Sequence, residues 1–126
     1  MRLNPCQTVG LVRALAAFNP AVIYVFGSHG TPARHPGSDL DIAFLPVSPT
    51  DPLQVFHVAN FLSNEFGIEV DLVDLSLAST VLRKEVLRTG EAVHIRDAMI
   101  MREFEMSTLS DYARLNEERR EVLPSF

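Results

Sequence analysis

The stretch AVIYVFGSHGTPARHPGSDLDIAFL, Ala21 to Leu45, decides how this chain folds. Its first six residues, Ala21 to Phe26, are β-branched and aromatic without polar interruption, which predicts a strand buried on both faces. Gly27 to Ser38 carries Pro32, Pro36 and two further glycines and reads as a turn-rich connection. Asp39 to Leu45 predicts a second strand, ended by the loop from Pro46 to Pro52. Side chains on a strand alternate between faces. Asp39 and Asp41 therefore project together, roughly 6.5–7 Å apart along the backbone, while Leu40 and Ile42 take the other face.

Outward from this pair, the chain alternates helix and strand. Gln7 to Phe18 places Leu11, Leu15 and Phe18 at helical spacing, and Asn19-Pro20 stops the helix. Leu53 to Phe66 repeats apolar residues at the same period. Ile68 to Leu75 alternates apolar positions and predicts a third strand. Leu77 to Arg88 reads as a helix with Gly90 near its C-terminal cap, Ala92 to Ile95 as a short strand, and Asp97 to Val122 as a final helix. This order implies an α/β (α+β) domain with a small mixed sheet flanked by helices. Residues 1–126 are expected to form one domain, with 97–123 a C-terminal helical extension.

Composition narrows the classes of function. Hydrophobic residues make up 47% of the chain and charged residues 21%, a globular balance. The formal net charge is −5, which argues against neutralising the phosphates of long nucleic acids. Cys6 is the single cysteine, so an internal disulfide is impossible and a reducing compartment fits. Asn19, Pro20, Gly27 and Gly30 interrupt the stretch with fewest charges, so no membrane-spanning segment is expected. Pro5, Cys6 and Arg13 break up the region where a signal peptide would need an apolar run. A cytoplasmic location is the expectation.

Three features carry chemistry: Gly27-Ser28 after the first strand, Asp39-x-Asp41 on the second, and Asp71 within the third. Unpaired carboxylates side by side repel each other. A divalent cation removes the repulsion, and magnesium takes carboxylate and phosphate oxygens as ligands. Asp39, Asp41 and Asp71 are the candidate catalytic and metal-binding residues. A glycine at a strand end lets backbone amides approach and cradle phosphate oxygens. Gly27 and Ser28 are thus candidate nucleotide-binding residues, and Ser38 is a further candidate. No GK[ST] follows and no G-x-G-x-x-G is present, so two common nucleotide motifs are set aside. Glu69 shares the face of Asp71 and is its nearer rival; Asp74 lies on the opposite face.

V-F-G-S-x10-D-x-D, Val25 to Asp41, resembles the signature of DNA-polymerase-β-like nucleotidyltransferases. It is most similar to the minimal nucleotidyltransferases encoded beside HEPN-domain toxins in prokaryotic toxin–antitoxin pairs. The resemblance continues through I-E-V-D-L-V-D-L, where Asp71 takes the place of the family's third carboxylate, and R-K-E-V-L-R-T-G-E-A-V, Arg83 to Val93. It implies a two-metal, magnesium-dependent transfer of AMP from ATP to a hydroxyl, with pyrophosphate leaving. The implied acceptor is a tyrosine of a partner HEPN toxin, which the modification silences, making the chain an antitoxin. In that reading Asp39 and Asp41 hold the metals, Gly27 and Ser28 the triphosphate, and Asp71 completes the site on the acceptor side. The chain departs from the family at His29, Thr31 and Pro32, where arginines often follow the Gly-Ser pair.

Two other functions compete. One is an antitoxin that blocks its toxin by binding alone; the other is a nucleotidyltransferase acting on a small molecule of the aminoglycoside type. The partners expected are a HEPN toxin and a nucleoside triphosphate, with no long nucleic acid and no membrane, and an oligomer with the partner is possible. His29 is a possible phosphate contact, whereas His35, His57, His94 and Cys6 read as residues without a role in the chemistry. The Met-rich stretch from Met99 to Leu115 reads either as core or as a contact face.

Overall fold

The computed structural model describes residues 3–27 and 40–122, with side chains as far as residue 118. The first helix, α1 (Pro5–Leu15), starts earlier than its apolar period requires, because Asn4 and Gln7 form a reciprocal capping box. Pro5 stands in the first turn, where its missing N–H costs nothing. A single 3₁₀ turn, Ala16–Phe18, extends it to Asn19, which takes the left-handed conformation at φ 51° and turns the chain.

Strand β1 (Pro20–Phe26) follows, then β2 (Leu40–Pro46), helix α2 (Pro52–Phe66) and strand β3 (Val70–Asp74). Asp51 caps α2 at its start, and Gly67, at φ 68°, ends it. Helix α3 (Thr80–Thr89), strand β4 (Glu91–Ile95) and helix α4 (Ala98–Val122) complete the order. Besides the start of α1, two boundaries differ from the sequence reading by more than one residue. The β3 ladder is shorter than Ile68 to Leu75, since Gly67 and its neighbours are still turning off α2. Helix α3 starts at Thr80 because Ser79 caps it and the amide of Leu77 closes a turn onto Asp74.

The sheet order is β3-β2-β1-β4. Strand β1 pairs antiparallel with β2 and with β4, and β2 pairs parallel with β3. The sheet is therefore mixed, as expected. Parallel neighbours need a crossover, and α2 supplies it.

Both faces are covered. On one, Ile23, Leu40, Ile42, Phe44 and Val70 pack against Leu11, Leu15, Phe18 and Leu62 from α1, the following turn and α2. Phe18 stacks on Phe44 with ring centroids 4.9 Å apart. On the other, Val22, Tyr24, Phe26 and Ala43 meet Leu75, Val86 of α3 and Phe104 of α4. That double cover explains the uninterrupted apolar run of β1. Along α4, Phe104 and Thr108 are buried while Met99 and Met106 stand exposed, so the Met-rich stretch is core on one side only.

Gly90 occupies the C-cap of α3 with an ordinary extended backbone, φ −89°. Its lack of a side chain serves proximity instead. A Cβ there would lie 2.4 Å from the carbonyl oxygen of Val86 and 3.3 Å from the Cβ of Phe26. The end of α3 is thus seated directly behind the last residue of β1.

Candidate active site

The pairing of the strands assembles the site. Asp41 stands opposite Phe26 across the β1–β2 ladder and directly beside Asp71 in the parallel β2–β3 ladder. Register neighbours on adjacent strands share a face, so the two carboxylates project side by side from strands about 4.8 Å apart. Both lie on the face that α3 and α4 cover, because Leu40, Ile42 and Val70 belong to the opposite layer. Asp41 is only 2% exposed, and Asp71 is half-buried. Gly27 follows Phe26 at the end of β1 and is itself half-buried. One end of the sheet therefore gathers Gly27, Asp41 and Asp71.

Ser28, Ser38 and Asp39 lie outside the described residues, as do His29 and His35. Among the described residues no group of three or more metal-binding side chains comes together; Asp39, which would extend the pair, is not among them. Glu69 is exposed and precedes the ladder, with its carbonyl accepting from the amide of Leu40. Asp71, not Glu69, holds the register position beside Asp41.

Asp74 has a different occupation. Its carboxylate accepts from the Ser76 amide at 2.9 Å, from the Ser76 hydroxyl, and from the hydroxyl of Thr50. It ties the loop after β2 to the loop after β3 at the far end of the sheet. Nothing in the sequence pattern announces this clamp, although Asp-x-Ser is a familiar local turn arrangement.

A second contact missed by sequence reasoning is the bond from the Tyr24 hydroxyl to Glu105 of α4, 3.0 Å long. Burial pushes the Tyr24 hydroxyl well above the usual tyrosine range, and the bond to Glu105 and its charge add to the shift. The neutral phenol is thus fixed as donor. It anchors α4 over the strand that ends at Gly27.

His57 is exposed on α2 and Cys6 is exposed on α1; both lie apart from the aspartates, on elements of the opposite layer. No helix among the described residues is long and apolar enough to cross a membrane.

Comparison with known proteins decides what such a site belongs to. Residues 12–99 match the polymerase β nucleotidyltransferase family. The chain belongs to that family. This nucleotidyltransferase is 35% identical over 104 residues to the protein adenylyltransferase MntA of Shewanella oneidensis, spanning 81% of the present chain and 73% of MntA. It is also similar to a chain of the solved complex of tri-AMPylated Shewanella oneidensis HEPN toxin with MNT antitoxin, with TM-score 0.77, 30% identity and 95% of each chain covered. A crystal structure of a toxin–antitoxin with AMP-PNP matches at TM-score 0.77 and 31% identity, covering 98% of each chain. The sheet with its paired aspartates is the polymerase β-like fold anticipated from Gly27-Ser28 and Asp39-x-Asp41.

Proposed function

We propose that this nucleotidyltransferase moves AMP from ATP to a tyrosine hydroxyl of a HEPN-domain toxin, in a magnesium-dependent reaction, and silences that toxin in the cytoplasm as its antitoxin. The observation that carries the reading is the register of Asp41 beside Asp71, next to the glycine that ends β1. Asp41 is buried and Asp71 half-buried beside it on the neighbouring strand, whereas Asp74, farther along the strand of Asp71, accepts from groups that tie two loops together. The relatives named above, one an adenylyltransferase and one solved with an AMPylated toxin, support the same acceptor class.

The donor set fits magnesium. Asp41 and Asp71 offer hard carboxylate oxygens side by side, which a small divalent cation prefers and which like charge otherwise disfavours. Asp39 is the third proposed ligand. When bound, the metal would neutralise charge on the triphosphate and lower the proton affinity of the attacking hydroxyl.

The residues of the chain do the positioning. Gly27 leaves room for a phosphate oxygen against the strand end, and the amide and hydroxyl of Ser28, with Ser38, complete the proposed cradle. The acceptor oxygen attacks the α-phosphorus and forms the new P–O bond. The bond from that phosphorus to the bridging oxygen breaks, pyrophosphate leaves, and the hydroxyl proton departs on the side of Asp71. The added adenylate carries a negative charge onto the toxin, where it opposes approach of RNA.

The test is transfer from labelled ATP to a HEPN-domain toxin supplied as acceptor. Label on tyrosine that requires magnesium and is lost in Asp41→Asn supports the reading. Neutralisation without label makes the chain a binding antitoxin.

A further inference from the structure

Among the described residues strand β3 lies at the edge of the sheet, and it is the strand that carries Asp71. Three hydrogen bonds fix which of its backbone groups face β2. The amide of Leu40 donates to the carbonyl of Glu69, and the amide of Leu75 donates to the carbonyl of Phe44. The amide of Val70 instead donates away from the sheet, to the hydroxyl of Ser63 on α2, at 3.0 Å. In a parallel ladder alternate residues turn both main-chain groups toward the neighbour. Glu69, Asp71 and Val73 therefore pair with β2, while Val70, Leu72 and Asp74 present theirs outward. Ser63 takes the outward amide of Val70, and the carbonyl of Asp74 closes the turn to Leu77. Among the described residues no turn or cap bond takes the N–H or C=O of Leu72.

An outward donor and acceptor at the middle of an edge strand form a template for one more strand. Here the template lies immediately beside the candidate catalytic carboxylate. We propose that the acceptor protein binds as an extended segment on the edge of β3, pairing with Leu72 and bringing its reactive side chain alongside Asp71. This rests on the adenylylation reading above and specifies how that site takes its substrate.

Geometry supports the placement. A strand added here runs about 4.8 Å from β3, and a residue opposite Asp71 projects from the same face as Asp71 and Asp41. The three side chains then stand in a row across β2, β3 and the added strand. A tyrosine in that position reaches farther from the sheet than the aspartates do, above the carboxylates where a bound phosphate would lie. A serine hydroxyl would stop level with them. The edge therefore selects an extended segment and, within it, a long hydroxyl-bearing side chain. The step itself is unchanged: the phenolic oxygen forms the bond to the α-phosphorus, the bond to pyrophosphate breaks, and the phenolic proton leaves.

The test uses the full chain and its partner toxin. Leu72→Pro removes the outward N–H while leaving the ladder to β2 intact, because the lost donor never faced β2. Leu72→Val retains the N–H and serves as the conservative control. Transfer to the toxin should fall at least tenfold in Leu72→Pro and stay within twofold in Leu72→Val, with AMP-PNP affinity unchanged in both. Transfer by Leu72→Pro within twofold of Leu72→Val would overturn the proposal. Should the proline variant fail to fold, hydrogen exchange on the wild type decides. Slowed exchange of the Leu72 amide on adding toxin supports the edge, and unchanged exchange overturns it. The exchange arm reads binding at the edge separately from transfer, so a wild type that protects Leu72 without transferring points to the failure of the adenylylation reading, and one that transfers without protecting Leu72 to the failure of the edge proposal.

Discussion

Two ends of one sheet use aspartate in opposite ways. At the end where β1 runs out into Gly27, Asp41 and Asp71 stand in register on neighbouring strands. At the other end Asp74, in the same strand as Asp71, is 9% exposed and accepts from an amide and from two hydroxyls. The second arrangement is what a fold does with a carboxylate it needs for itself: it surrounds the charge with donors that tie two loops together. The first places like charges next to each other, which makes sense for a site that expects a cation and a phosphate. Asp71 and Asp74 share one strand, and what separates them is the end of the sheet at which each stands.

Mutation should break the comparison cleanly. Asp41→Asn and Asp71→Asn should each remove several kcal/mol of transition-state stabilisation, on the order of 10³-fold in transfer rate, with melting temperature unchanged or slightly raised. Asp71→Asn should in addition keep most of the affinity for AMP-PNP, since its work lies on the acceptor side. Transfer assays beside calorimetry distinguish the two. Asp74→Ala should do the reverse and destabilise the fold by about 2–3 kcal/mol, because three donors lose their acceptor. The folded fraction should retain its rate, and urea unfolding with an activity assay at low denaturant checks both halves.

Gly90 sharpens the contrast because it belongs to the architecture yet sits behind the chemical end. Gly90→Ala forces a Cβ toward the Val86 carbonyl and Phe26, and should cost about 1–3 kcal/mol of stability. Thermal melting reads that loss. A smaller effect is expected at Tyr24. Tyr24→Phe gives up the bond to Glu105 and should cost ~1–2 kcal/mol. The sign with pH follows from the raised folded-state value of Tyr24. The unfolded chain ionises its tyrosine near pH 10 while the folded chain holds the proton. Wild-type stability should therefore fall as pH rises past about 10, and Tyr24→Phe should lack that part of the fall. Melting curves from pH 8 to 11 measure it.

Local pattern made much of this legible. Ala21 to Phe26 reads as a doubly covered strand because β-branched and aromatic residues without polar breaks have few other homes, and β1 is buried along nearly its whole length. The period of Leu11, Leu15 and Phe18 marks a helix, and those residues line one core layer. Alternation also places Asp41 and Leu40 on opposite faces, as the two packed layers have them. What alternation cannot supply is strand order. The register of Asp41 with Asp71, the edge position of β3 and the bond between Tyr24 and Glu105 join residues far apart in sequence, and only the packing of the sheet sets them. Asp74 was separable from Asp71 by face, but its three donors come from Thr50 and Ser76, which carry no periodic signal.

The most direct test of the proposed chemistry is the intact mass of the partner toxin after incubation with a sub-stoichiometric amount of this chain, ATP and magnesium. Catalysis predicts toxin that gains whole adenylate masses in excess of the chain added, stays silent after the two are separated, and is untouched by Asp41→Asn. Inhibition that demands one-to-one mixing, leaves the toxin mass unchanged and survives Asp41→Asn would contradict it.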